Sequence, residues 1–347
     1  MADLLDRYLA DRTTQTNRHG RRVSPATIRA ARADLHGFMQ WWEQAHQLTF
    51  DVGLVLEQDP GDWQEHRQIV EGAKPATINR ASASLRAFFT WAATTQLISH
   101  TPAAALHDLV VEDAAPRGVP PEGVAWLVRA ASAQPDPMAR HRDLAMLTLL
   151  SDCGVRSQEA VDSQLRDLDL DGAQLIVRSG KGRTPRRVPL TTTALRRLRD
   201  YLTVRCPTGP EAVGSETERE PLLIGRHITK AGQPWEPGLT TAAIRKRIAA
   251  LGTAAARRIA EQAAKESQVT RVTELHELAG TLRVMSPHQL RHGLAYRLLK
   301  NGATPTYVQK ILGHSRVSTS LMYGKPTEAD VREAMERADR VTRRVEP

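Results

Sequence analysis

Arg156 and Glu159 stand three residues apart, and so do His288 and Arg291. On a helix, that spacing puts both members of a pair on one face. A carboxylate so placed can hold a guanidinium in position, and an arginine held that way presents a rigid fork of N–H donors to anionic oxygens. Taken alone, the first pair is equally a surface ion pair and the second a solvated helix face. Lys181 lies in "GKGRTP", where flanking glycines let backbone and amine approach a ligand closely. A turn kept basic for solubility would have the same composition. His314 follows Gly313 in "LGHSRVSTSLMYG", and Tyr323 comes nine residues after His314. A phenol there either covers a small core or is a nucleophile near a base or a phosphate clamp. On one straight helix nine residues turn through about 900°, leaving the two on roughly opposite sides. They can share a site only across a break. Gly313 supplies the stop, and Ser315 or Ser318 the cap of a short second helix carrying Leu321, Met322 and Tyr323.

Composition narrows what such groups would meet. The net charge is +9 over 347 residues, which suggests a polyanionic partner. The charge is unevenly spread. Residues 12–33 hold six arginines and no acid, and residues 178–199 hold eight basic residues and no acid. Residues 240–300 carry eleven basic residues against four acids, whereas between Glu43 and Glu71 the acids face only Arg67. No apolar run approaches the 18 or so residues of a membrane span, and the first residues lack the apolar region of a signal peptide. Two cysteines, Cys153 and Cys206, cannot build a disulfide framework or a metal cluster, and a reducing cytoplasm is the expected location. No cluster of acids points to a required metal, and no glycine-rich loop reads as a nucleotide cradle, so neither metal nor cofactor is expected.

The elements that must position these groups fall into two domains. "VEDAAPRGVPPEG" reads as a linker between helical patterns. It divides the chain into a helical domain, residues 1–112, a connection over 113–120, and a larger domain, residues 121–347. The first domain echoes itself at an offset of fifty: Pro-Ala-Thr-Ile recurs, with Leu35/Leu85, Phe38/Phe88 and Trp41/Trp91 after it. Those residues predict two helices that pack one stripe on a shared core and turn Arg29, Arg32, Arg80 and Arg86 outward. In the second domain, helices are predicted from about Pro121, from Pro137 to about Leu150, over Thr193–Leu202 and from Thr241 to about Glu266. "AQLIVRS" and "RRVPL" predict a hairpin around Lys181. "SPHQLRHGLAYRLLKNG" has Ser286 as cap, Pro287 in the first turn and Gly302 beyond the end. "TPTYVQKILG" repeats that grammar, and "PLLIGRHITKAGQPWEPGLT" reads as irregular. Tyr8, Tyr201, Tyr296 and Tyr307 sit inside helical patterns and are expected to pack, as are the six tryptophans.

Taken together and in this order, Arg156-x-x-Glu159, the hairpin lysine, His288-x-x-Arg291, Leu312-Gly313-His314 and the tyrosine nine residues on resemble the tyrosine recombinase (phage integrase) family. Residues 75–102 look like the second half of that family's core-binding domain. The stretches "GVRSQEAVDSQLRDLDLD", "SGKGRTPRRVPL", "SPHQLRHGLAYRLLKNG" and "ILGHSRVSTSLMYG" look like its catalytic boxes. The resemblance implies a mainly α fold with a small β-hairpin or sheet, in which a helical core-binding domain is joined to a mixed α/β catalytic domain. It implies strand exchange between two double-stranded DNA sites bearing inverted repeats, through a 3′-phosphotyrosyl link.

On that reading Tyr323 is the nucleophile, and Arg156, Arg291 and His314 stabilise the phosphate. His288 is the candidate base, Lys181 the candidate acid, and Glu159 a buttress. Arg29, Arg32, Arg80, Arg86, Arg183 and Arg245 are candidate DNA contacts. A homotetramer on two sites is implied, with the helix after Tyr323 docking in trans. A DNA-binding regulator without catalysis, a type IB topoisomerase and a telomere resolvase are the alternatives. Two departures stand out. Gly293 follows Arg291-His292 where the family usually has threonine or a similar residue. Residues 251–282 exceed what the family needs between boxes, and a basic helical insertion touching DNA or a neighbouring subunit is the expectation there.

Overall fold

A computed structural model describes residues 2–14, 22–111, 118–178, 185–206, 219–225, 227–228, 234–235 and 237–313. The chain divides into two compact units, residues 1–113 and 114–347.

The first unit is helical: α1 Ala2–Thr14, α2 Pro25–His46, α3 Asp59–Ile69 and α4 Pro75–Thr94. Ser24 caps α2 by accepting from the Thr27 N–H at 3.1 Å, and proline opens both α2 and α4. Leu35, Phe38, Leu85 and Phe88 of the repeated stripe are fully buried. Trp91 is buried too, but its counterpart Trp41 is only partly so, and Trp42 fills the core instead. Asp59, itself buried, accepts from the Trp42 indole N–H at 2.8 Å and from the Leu56 N–H at 2.8 Å.

The second unit contains α5 Pro121–Ser132, α6 Pro137–Leu147, α7 Ser157–Asp162, α8 Thr192–Arg205, α9 Thr241–Ala263, α10 Val269–Arg283, α11 Pro287–Lys300 and α12 Pro305–Leu312. A π-helical turn, Thr148–Asp152, continues α6. Three antiparallel strands in chain order form the sheet: β1 Leu168–Asp169, β2 Gln174–Val177 and β3 Arg186–Pro189. Leu175 pairs with Val188 and Val177 with Arg186, so the buried residues of the predicted hairpin share one face. The stretch "DLDLDG", residues 167–172, supplies β1. The stretch read as irregular contains a two-residue pairing, β4 His227–Ile228 with β5 Pro234–Trp235.

Helices α9 and α10 form the unassigned stretch. Leu275, Ala279 and Leu282 of α10 join the core, and Gly252 of α9 lies so close to the Leu282 carbonyl that no side chain fits there. Arg271 ties α10 to Glu122 of α5. One face of this stretch is therefore core rather than an outward insertion.

The departure at Gly293 has a steric cause. Residues 118–119 cross α11 at backbone contact, with the Val119 N–H donating to the Gln289 carbonyl at 3.1 Å. A Cβ on Gly118 would lie 2.7 Å from the Gly293 nitrogen, and one on Gly293 would strike the Val119 carbonyl. Neither partner can yield as a side-chain tip would. Gly293→Thr is expected to destabilise the second unit by at least about 1–3 kcal/mol. Urea unfolding followed by Trp126 fluorescence would measure the loss, and limited proteolysis would show residues 118–120 newly cut.

Candidate active site

A buried carboxylate organises the centre of the second unit. Arg156 immediately precedes α7, and Glu159 in the first turn reaches back to it. The Arg156 N–H donates to Oε2 at 2.8 Å and its Nη1 to Oε1 at 2.8 Å. Strand β3 brings a second guanidinium: Arg186 donates from Nη1 to Oε1 at 3.0 Å and from Nη2 to Oε2 at 2.7 Å. A third, Arg291 on α11, stands 3.9 Å from Oε2.

Burial pushes the Glu159 carboxyl up, but the Arg186 hydrogen bonds, the Arg156 N–H and both guanidinium charges outweigh it and hold it at about 2. Its ordinary value is about 4.3, so protonation is harder in the folded chain than in the unfolded one. The resulting stability, about 3 kcal/mol, is complete above that ordinary value and drains away as pH falls toward 2. Glu159→Gln should therefore flatten the second unit's stability between pH 5 and pH 3, read from urea midpoints across that range.

Arg291 is 2% exposed. Its Nη1 donates to the Gly154 carbonyl and its Nη2 to the Leu312 carbonyl. Gly154 has φ +62°, and a Cβ there would meet Leu294 at 2.7 Å. Leu294, Val308 and Leu312 form a small cluster that joins α11 to α12. Helix α12 starts on a Thr304 cap and ends at Gly313, whose φ of 64° is left-handed. The Gly313 carbonyl accepts from Arg156 Nη2 at 3.3 Å. Arg156, Arg186 and Arg291 thus converge on the end of α12, directly before His314.

His288 stands on α11 one turn before Arg291. Partial desolvation lowers its pKa first, then the charges of Arg291 and Arg156, which favours the neutral imidazole. His292 lies edge-on to it, with ring centroids 4.2 Å apart. Burial, then His288 and Arg291, lowers His292 to about 4.

Arg156, Glu159 and Arg291 are therefore in one bonded cluster with His288 beside it. Lys181, Arg183, His314 and Tyr323 lie outside the described residues, as does the helix predicted after Tyr323. Among the candidate DNA contacts, Arg29 and Arg245 are exposed. Arg32 and Arg80 are exposed as well and Arg86 partly so, but each is held by a carboxylate. Arg32 pairs with Asp6 at 2.7 Å, Arg80 with buried Asp34 at 2.6 Å, and Arg86 with Asp108 at 2.7 Å. Tyr8 and Tyr201 are buried as expected, but Tyr296 and Tyr307 are 44% and 63% exposed, on the outer faces of α11 and α12. Sequence reasoning missed Arg186. Its signal was strand alternation, because a period of two puts it on the same face as buried Val188. Cys153 is buried and its thiol is pushed up to about 12, which leaves it inert. No described helix is long and apolar enough to cross a membrane.

The family model for the phage integrase family matches residues 121–329. The chain belongs to this family, the tyrosine recombinases. It is 29% identical over 320 residues to tyrosine recombinase XerC of Thermodesulfovibrio yellowstonii, covering 91% of this chain and 90% of that protein. It is likewise 29% identical over 328 residues to tyrosine recombinase XerD of Listeria innocua, covering 94% and 95%. Two solved structures share the fold. The Tn1549 transposon integrase in complex with a circular intermediate DNA matches with a TM-score of 0.64 at 20% identity, over 96% of this chain and 99% of that one. The XerH recombinase bound to its difH substrate matches with a TM-score of 0.62 at 17% identity, over 96% and 94%.

Proposed function

We propose that this chain is a site-specific DNA recombinase that cuts and rejoins DNA through Tyr323. The observation that carries this reading is the Glu159-centred cluster: two arginines of the motif set and a neutral imidazole gathered at the end of the helix that leads into His314. Attack on a phosphodiester builds negative charge on its non-bridging oxygens. Fixed cationic donors aimed at that charge are the largest catalytic contribution this residue set offers. Arg156 and Arg291 are the candidate cationic donors, and His314 adds another.

In the cleavage step the Tyr323 oxygen bonds to phosphorus and the bond from phosphorus to the 5′ oxygen breaks. The phenol proton passes to His288, and the 5′ oxygen takes a proton from Lys181. The 3′-phosphotyrosyl link keeps the energy of the broken bond, so an incoming 5′ hydroxyl reverses the reaction on a new partner without ATP.

The first unit serves as the core DNA-binding domain, with Arg29 its candidate phosphate contact. Four protomers on two sites form the working assembly. The segment after Tyr323 docks in trans, and its Val331, Met335, Ala338 and Val341 stripe and acidic residues suit a groove of about 630 Å³ between α5 and α11. That groove is lined by Val124, Val128 and Leu294, with Arg129, Arg197 and Arg297 at its rim.

The test starts with wild-type chain, fragmented host DNA and a chelator, without ATP. Fragments recovered covalently attached to protein define a cleavage site, which is rebuilt as a duplex with a nick beside the cut. A stable adduct with a free 5′ hydroxyl is expected, together with exchange between two such duplexes. Reversible binding without an adduct would instead make the chain a regulator, and relaxation without exchange would make it a topoisomerase.

A further inference from the structure

Arg186 lies in the hairpin stretch but carries none of the roles assigned to the motif residues, yet its guanidinium is fully engaged at the site. All three of its nitrogens are occupied. Nη1 and Nη2 grip the two oxygens of Glu159 at 3.0 and 2.7 Å, and Nε donates to the Ile311 carbonyl at 3.0 Å. Its side chain is 12% exposed and lies against Gly313, where a Cβ would come within 3.0 Å of Nη1. A fork turned inward in this way is not a DNA phosphate contact. Its place in the chain matters as much. Arg186 is the first residue of β3, paired with Val177 at the end of β2, so it stands at the root of the hairpin whose connection contains Lys181. Ile311 lies in the last turn of α12, three residues before His314.

We propose that Arg186 is a positioning residue that bridges Glu159 to the Ile311 carbonyl, and so fixes the start of β3 and the end of α12 against the carboxylate that seats Arg156. This rests on the recombinase reading above. A lysine in its place offers one point charge, not a fork, and cannot make the three bonds together. Misplacement of catalytic groups by about 1 Å costs on the order of 10²-fold in rate.

The experiment uses the full chain and the nicked duplex defined above. Wild type is measured first; absence of an adduct there overturns the recombinase reading itself and this proposal with it. With wild type active, Arg186→Gln is expected to bind the duplex within about twofold of wild type but to form adduct about 10²-fold more slowly. Arg186→Lys should recover about tenfold of that loss. Combined with Glu159→Gln, Arg186→Gln should add less than about threefold to the slower single variant, because both act on one node. Wild-type rates in Arg186→Gln, or losses that multiply fully in the double variant, would overturn the proposal alone. A fall in affinity equal to the fall in rate would make Arg186 a DNA contact instead. Should Arg186→Gln fail to fold, Arg186→Lys decides: a wild-type rate sinks the bridge, and a loss of about tenfold at wild-type affinity upholds it.

Discussion

Tyr323→Phe is expected to bind DNA with wild-type affinity and to leave no covalent product. The substitution removes one oxygen and keeps the ring, so the charges that hold phosphate, and with them the salt dependence of binding, are untouched. What goes is the atom that must bond to phosphorus. No neighbouring water replaces it productively, because hydrolysis would release a 3′ phosphate in place of a stored link. The adduct on the nicked duplex should fall to background, a loss on the order of 10⁴-fold or more. Gel mobility under denaturing conditions separates the two outcomes. An adduct in the Phe variant would move the nucleophile to another residue, and Tyr296 and Tyr307, both exposed, would be next to test.

Arg291→Met is expected to damage both stability and catalysis, and Arg291→Lys to separate the two. Arg291 is the deepest of the three guanidiniums, bonded to the carbonyls of Gly154 and Leu312. Methionine fills much of the space but leaves those carbonyls without these donors, at about 1–3 kcal/mol each. A drop of about 3 kcal/mol in the second unit's unfolding free energy should follow, measured in urea. Adduct formation should fall by about 10³-fold, since a fixed donor at the phosphate is lost as well. Lysine keeps the positive charge but cannot reach both carbonyls, so it should regain rate more than stability. If Arg291→Met unfolds at the wild-type urea concentration, the clamp between Gly154 and the end of α12 is not what holds these segments together.

What the sequence made legible follows contact range. Arg156 with Glu159, and His288 with Arg291, are neighbours within a turn, so their spacing put each pair in view and the order of the whole set gave them a role. Caps and proline starts likewise gave α11 and α12 nearly to the residue. Arg186 went unread because its partners Glu159 and Ile311 lie 27 and 125 residues away, a pairing set only by the sheet and the helix that meet there. The same holds for the carboxylates that occupy Arg32, Arg80 and Arg86, each supplied by another segment of the first unit. The repeat matched Trp41 to Trp91, yet the two copies do not bury that position alike, and Trp42 fills the core in the first. Tyr296 and Tyr307 show that lying in a helix does not say which side a residue faces. Residues 251–282 resisted assignment because their apolar positions are alanine and glycine as much as leucine, a pattern that reveals close helix contact only when the partner helix is in view.

Gly118 and Gly293 have a consequence for how this chain can change. A side chain on Gly118 would run into the Gly293 backbone and one on Gly293 into the Val119 backbone, so neither can acquire one while the backbones keep their course. Restoring the family's usual threonine on α11 would require rerouting the entry to the second unit first. The same crossing sets residues 118–119 against the peptide backbone of α11, within a turn of His288 and Arg291, with no side chain between to absorb a shift of either.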